Sequence, residues 1–227
     1  MAEAMQPANV TAPGFVEPGR DAQAVFRATL TALSEPGRVI GLPVELETGL
    51  PVGAAALALL LALADADTPL WLDELASVTT GFLRFHTGAP IVADMRAARF
   101  ALVADAPRCP PLDRLAAGEE DYPDRSATLI VEATRLASPG PLGLRGPGIA
   151  DRHDLAVEGP APHFLAEWAA NHARFPRGVD ILLTCGNRLC GLPRSIRRPK
   201  TAWRHALRPL LVWPRLSTRA TAARSSP

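Results

Sequence analysis

The string Leu144-Arg145-Gly146-Pro147-Gly148-Ile149 carries the clearest chemical potential in the chain. Two glycines around a proline expose backbone amides in a rigid turn, and Arg145 beside them could complete a cradle for an anion. The string lacks the Gly-rich run ending in Lys-Ser or Lys-Thr that defines a P-loop. A sharp turn between strands also accounts for it. A second arginine stands in Phe175-Pro176-Arg177-Gly178-Val179-Asp180. Arg177 either pairs with Asp180 or presents a bidentate fork to a phosphate or phosphonate. Gly178 is the expected left-handed residue just past a helix end. His86 lies in Leu83-Arg84-Phe85-His86-Thr87-Gly88, near a helix C-terminus where the dipole favours a positive charge. A single histidine without a partner is more often structural than catalytic. The remaining histidines, His153, His163, His172 and His205, form no ligand spacing, so no metal site is expected. Neither a nucleophile elbow nor a dinucleotide fingerprint is present. Asp65 and Asp67 could act as acid and base, yet a solvated turn fits them better. Spacing alone assigns no catalytic residue.

The elements that must position these groups read as a mixed α/β pattern. Ala22, Val25, Phe26, Leu30 and Leu33 have helical spacing, with Asp21 as N-cap and Pro36-Gly37 as the stop. Val39–Leu46 reads as a strand. Gly53–Ala64 is an Ala/Leu helix, apolar almost all round, and should be buried on most sides. A turn at Asp65-Ala66-Asp67-Thr68 leads to a short strand, Leu70–Leu72, a short helix, Thr79–Phe85, and a strand, Phe100–Ala104. After a connection over Pro107–Arg125, Thr128–Leu136 reads as a strand. Thr128, Ile130, Glu132 and Thr134 fall on one face of it, and Leu129, Val131, Ala133 and Arg135 on the other. Ser138–Ile149 is interrupted by prolines and glycines. Leu155–Val157 is a short strand, Phe164, Leu165, Trp168, Ala169, His172 and Phe175 make a helix stripe, and Val179–Leu183 is an apolar, central strand. Irregular connections imply some antiparallel neighbours. The expected architecture is one α/β domain with a mixed sheet flanked by helices, over residues 14–197.

The chain of 227 residues has a net charge of +1 that hides an asymmetry. Asp180 is the last acidic residue, so the first 180 residues hold 14 basic and 23 acidic groups, a net of −9, and the other ten basic groups follow. An acidic body is a poor nucleic-acid binder. Residues 1–13 read as a mobile terminus and 198–227 as a basic tail. The three cysteines, Cys109, Cys185 and Cys190, match no zinc or redox spacing and read as reduced, buried thiols. The longest apolar run, Ala54–Ala64, is about half of what a bilayer needs, and no signal peptide is visible, so a cytoplasmic protein without membrane contact is expected.

Taken in order, a set of short strings is similar to the PhnH family, the H subunit of bacterial carbon–phosphorus lyase. They begin with Gly14-Phe15, Gln23 with Phe26-Arg27, and Ser34-Glu35-Pro36-Gly37. The apolar helix running into Asp65-Ala66-Asp67-Thr68-Pro69-Leu70 follows. Phe85-His86-Thr87-Gly88, Ser126-Ala127-Thr128-Leu129, Gly146-Pro147-Gly148-Ile149, Phe175-Pro176-Arg177-Gly178-Val179-Asp180 and Leu192-Pro193-Arg194 complete the set. Each is weak alone; their order over residues 14–194 makes the resemblance. It implies a fold akin to the large domain of pyridoxal-phosphate-dependent transferases, without that cofactor, since Lys200 is the one lysine and lies in the tail. It implies a homodimer when alone and assembly with the G, I and J subunits. That system couples alkylphosphonate to the ribose of ATP with release of adenine, the nucleosidase chemistry being assigned to I and the radical chemistry to J. The H subunit is then expected to bind no cofactor of its own, ATP and Mg being substrates of the complex. The sequence departs from the resemblance after Arg194, where Ser195–Pro227 continues as a lineage-specific extension or a shifted frame.

Under this reading His86, Arg145, Gly146, Gly148, Arg177, Asp180 and Arg194 are candidate anion, substrate or interface residues, and Trp71–Thr87, with Trp71, Phe82 and Phe85, is an expected contact surface. Two rival readings remain. One is an independent phosphate-ester enzyme using Arg145, His86 and Arg177. The other is an adaptor whose basic tail binds a membrane or nucleic acid.

Overall fold

The structure, a computed structural model, describes residues 12–197. Helix α1, Pro18–Ser34, opens on a proline, whose fixed φ suits the first helical position. Asp21 is not the N-cap that was expected. It sits one turn inside, and its carboxylate accepts the Glu17 amide at 2.9 Å. The buried face of α1 also differs from the expected stripe: Val25, Ala28, Thr29 and Ala32 point inward, while Phe26 and Leu30 are about half exposed. Small residues win this face because the backbone of the last strand approaches closely. A Cβ on Gly191 would collide with the Ala32 carbonyl.

The expected strand Val39–Leu46 shrinks to β1, Ile40–Gly41. Pro43 cannot donate to a ladder, and the side chain of Asn187 takes over by donating to the Leu42 and Val44 carbonyls at 3.0 and 3.3 Å. Helix α2, Ala54–Leu63, is buried as its composition requires, with Ala55 to Leu60 fully enclosed. Strand β2, Leu70–Leu72, follows the expected Asp65–Thr68 turn, which is closed by Thr68 Oγ1 accepting the Asp65 amide at 2.6 Å. Helix α3, Thr80–Thr87, ends on Gly88 at φ 72°. Strand β3 is Phe100–Val103.

The single strand expected over Thr128–Leu136 divides into β4, Thr128–Glu132, and β5, Arg135–Leu144. Strand β5 runs through Pro139 and Pro141, a region read from sequence as broken, and pairs antiparallel with β6, His153–Glu158. The prolines fall where the register shifts, between Ala137 and Leu142, so no ladder bond is lost to them. Helix α4, Phe164–His172, precedes β7, Asp180–Cys185, and a tight hairpin leads to β8, Arg188–Leu192, a strand missing from the sequence reading.

The main sheet has the order β1-β8-β7-β4-β3-β2. Strands β2, β3, β4 and β7 are parallel, β8 is antiparallel to β7, and β1 is antiparallel to β8. Alternating side chains feed two cores. Leu102, Ile130, Leu182 and Leu189 pack with α1, α2 and α3; Val103, Val131, Leu183 and Cys190 pack with the β5–β6 ribbon and α4. The alternation read along β4 is therefore correct. No helix among the described residues is long and apolar enough to cross a membrane.

Candidate functional site

The expected site residues fall into three neighbourhoods. The first surrounds the start of β7. Asp180 does not pair with its neighbour Arg177. Its carboxylate instead takes a bidentate fork from Arg194, Nη2 to Oδ2 at 2.7 Å and Nε to Oδ1 at 3.2 Å, plus the Arg194 amide at 2.8 Å. Arg194 Nη1 also donates to the Pro123 carbonyl at 2.7 Å, and His172 Nδ1 lies 2.9 Å from the Arg194 carbonyl. Both charged side chains are largely covered, at 14% and 25% exposure. With its donors spent on protein acceptors, Arg194 is a clamp that ties the end of β8 to the start of β7 and to the Pro123–Arg125 turn. The same junction is held by Asn171, whose amide exchanges two hydrogen bonds with the Val179 backbone at 2.8 and 2.9 Å, as a strand neighbour would. Gly178 has φ 135° but lies beyond the last turn of α4 rather than directly at its end. It is left free of a side chain because a Cβ would meet Asn171 Oδ1 at 2.9 Å. Arg177 is exposed and makes no ion pair among the described residues.

In the second neighbourhood, Arg145 bridges to Arg197 by two backbone hydrogen bonds of 2.9 Å and reaches Asp151 at 3.1 Å. Gly146 packs on Ile196, and Gly148, at φ 82°, allows the turn to touch the Ser34 carbonyl at the end of α1. This string is therefore a turn pressed onto α1 and the C-terminal segment, and Arg145 is already matched with a carboxylate. In the third neighbourhood, His86 stands on α3 with Nε2 at 3.0 Å from the Ala12 carbonyl, its ring between Phe82 and Phe85 and close against Gly14. It fastens the segment before α1 to the helical layer. Arg145 and His86 thus make their contacts in separate parts of the fold, and Arg177, which is exposed, shares in neither set.

Open α/β sheets bind ligands beyond the carboxyl ends of their parallel strands. Here that edge holds a cleft of about 510 Å³ lined by Trp71, Asp73, Glu74, Leu75, Val78, Asp105 and Arg108. Asp73 is committed to structure, since its two oxygens accept the Ala76 and Asp105 amides at 2.7 and 2.8 Å. Glu132, at the end of β4, accepts the Gly53 amide at the start of α2 at 2.7 Å, and burial raises its pKa above the usual carboxylate range. The Gly186 carbonyl accepts the Ala55 amide at 2.8 Å. Two amides at the N-terminus of α2 are thereby taken up by protein groups. On the expected contact surface, Phe82 lies in the core, whereas Phe85, Leu75 and Val78 are exposed. Cys109 and Cys190 are buried, with thiol pKa values pushed up to about 12 by desolvation; Cys185 is partly exposed, against expectation. No group of three or more metal-ligating side chains is assembled among the described residues.

Sequence reasoning missed a fourth cluster: Arg38, Ser138, His153 and Arg188. These residues come from four segments and line one cleft of about 340 Å³ with Val39 and Ala137. No spacing rule connects them.

Fold and site together define an α/β protein with a mixed sheet in which Asp180, Arg194, His86 and the Arg145–Gly148 turn serve as internal clamps. The family model for bacterial phosphonate metabolism protein (PhnH) matches residues 13–198. The chain is 38% identical over 185 residues to the alpha-D-ribose 1-methylphosphonate 5-triphosphate synthase subunit PhnH of Rhizobium meliloti (strain 1021), covering 81% of this chain and 92% of that protein. It is 32% identical over 173 residues to HtxG of Stutzerimonas stutzeri, named as a candidate C–P lyase subunit, covering 76% of this chain and 83% of that protein. The chain belongs to the PhnH family.

Proposed function

We propose that this chain is the H-type subunit of a carbon–phosphorus lyase system. It works with G, I and J subunits in the cytoplasm to transfer alkylphosphonate to the ribose C1 of ATP, releasing adenine and forming alpha-D-ribose 1-methylphosphonate 5-triphosphate. The observation that carries this is the identity of 38% extending over 92% of a relative named as a subunit of that synthase. The site geometry supports a supporting rather than a self-sufficient role. Arg145, Asp180, His86 and Arg194 each bond to other parts of this chain, and the exposed apolar side chains of Phe85, Leu75 and Val78 offer surface for a partner. The finer parts of the reading are a homodimer in isolation, no cofactor bound by this subunit, and kinship with the large domain of pyridoxal-phosphate-dependent transferases. A mixed sheet with four parallel strands accommodates that kinship.

The test is reconstitution, following adenine release from ATP plus methylphosphonate with Mg present. The purified chain alone releases none, and it restores release to a mixture of G, I and J subunits. Turnover by the chain alone overturns the partner-subunit role. Failure to rescue the incomplete mixture overturns the assignment to the synthase.

A further inference from the structure

The Arg38, Ser138, His153 and Arg188 cleft lies between the β1/β8 edge of the sheet and the β5–β6 ribbon. It is lined by two guanidinium groups, an imidazole and a hydroxyl, and by no carboxylate. Arg188 makes no ion pair among the described residues, its one polar side-chain contact being Cys185 Sγ at 3.7 Å. Arg38 gives Nη1 to Glu35 at 2.6 Å, and its Nε and Nη2 donors have no partner among the described residues.

Ser138 and His153 resemble a nucleophile and its base, but the hydrogen bonds run the wrong way. Ser138 Oγ lies 2.9 Å from the Asp154 carbonyl, an atom that can only accept, so the single hydroxyl proton points there. Nε2 of His153, at 3.2 Å from the same Oγ, must then be the donor. The serine is not activated. The bond instead fixes the imidazole, whose other nitrogen, Nδ1, has no partner among the described residues and is the acceptor of the neutral ring, so the two guanidinium groups are the donors that face the cleft. The ring is also held from behind. Gly37, at φ 85°, presses the end of the α1 turn so close that a Cβ there would meet His153 Cδ2 at 2.6 Å.

We infer that this cleft binds a tetrahedral oxyanion, the phosphate or phosphonate group of a small ligand. Forked guanidinium donors match the oxygens of such a group; Arg188 has no carboxylate partner among the described residues, and Glu35 takes up only one nitrogen of Arg38. A volume of about 340 Å³ fits a compact head group with a short attachment. The inference rests on the geometry of this chain and not on its assignment to the lyase.

The experiment is calorimetric titration of the full-length chain at low ionic strength with methylphosphonate, inorganic phosphate and ATP in separate arms. Saturable binding of at least one of them at one site per chain is expected, and the tightest arm identifies the source of the group. Arg188→Ala and Arg38→Gln each weaken it by about ten-fold or more, as loss of a charge-assisted hydrogen bond requires. Arg135→Ala, which removes an exposed pair with Glu158 on the same ribbon, leaves it unchanged. Circular dichroism and unfolding midpoints establish that each variant is folded, and two independent arginine variants guard against misfolding of one. No binding in any arm at millimolar ligand overturns the site, as does equal weakening by Arg135→Ala. Adenine release in the reconstituted mixture is scored separately, so loss of this site and loss of the subunit assignment give different results.

Discussion

Replacing Arg194 with Ala tests whether the most ordered polar cluster in the fold is a structural clamp. The change removes both arms of the fork to Asp180 and the bond to the Pro123 carbonyl. Deleting one partner of a buried ion pair costs about 3–5 kcal/mol, because the remaining charge stays desolvated. Asp180 keeps the backbone amide of residue 194 as a donor and is 25% exposed, so the lower end applies, about 3 kcal/mol. In a domain of this size each kcal/mol moves the unfolding midpoint by about 2–4 °C, giving a drop of about 6–12 °C. Thermal and urea unfolding followed by circular dichroism measure it. Arg194→Lys should recover less than half of the loss, since one ammonium group cannot span both carboxylate oxygens and the Pro123 carbonyl. In the double variant Asp180→Ala/Arg194→Ala the two effects should fall well short of adding. A midpoint within about 2 °C of the wild type for Arg194→Ala would refute the clamp and return Arg194 to the ligand-binding candidates.

Arg177→Ala should shift stability by no more than about 0.5 kcal/mol, the range for exposed substitutions, while phosphonate-dependent growth fails; normal growth removes Arg177 from the functional residues. Glu132 has a raised pKa in the folded state, so its contribution is fully favourable below the unfolded value and is lost as pH rises through the folded one. Urea unfolding of Glu132→Gln should therefore gain on the wild type between pH ~4.5 and 7, and the opposite trend contradicts the burial argument. Iodoacetamide at pH ~8 should label Cys185 in the native chain and spare Cys109 and Cys190, whose thiols are buried and held protonated by desolvation; mass spectrometry showing rapid labelling of either buried thiol counts against the packing described. Gly148→Ala should impair folding, because a Cβ collides with the Ser34 carbonyl and the backbone is left-handed there; a variant as stable as the parent shows that the turn can move away from α1.

Much of the framework was legible because it depends on local chemistry. An all-round apolar segment must be buried, so α2 was readable from its Ala and Leu content. Alternation over Thr128–Glu132 was readable because a strand sends successive side chains to opposite faces. Family membership was readable from the order of short strings, several of which fold as packing devices: Gly148 on α1, His86 on Ala12, Arg194 on Asp180.

What the tertiary structure alone decided are the choices of partner between distant segments. Asp180 had a neighbouring arginine at 177 and took one from 194, because β8 runs back beside β7 and brings that guanidinium to the buried side of the junction. Strand β5 persists through two prolines because the ribbon's register shift spares their missing amides, a fact of pairing that no propensity contains. The face of α1 was set by the close approach of β8, which admits alanine and excludes Phe26. The cleft of Arg38, Ser138, His153 and Arg188 draws on an α1–β1 turn, two ribbon strands and strand β8. Long-range convergence of this kind leaves no period or spacing in the sequence, since each residue is placed by a different local rule and they meet only when the ribbon folds over the sheet.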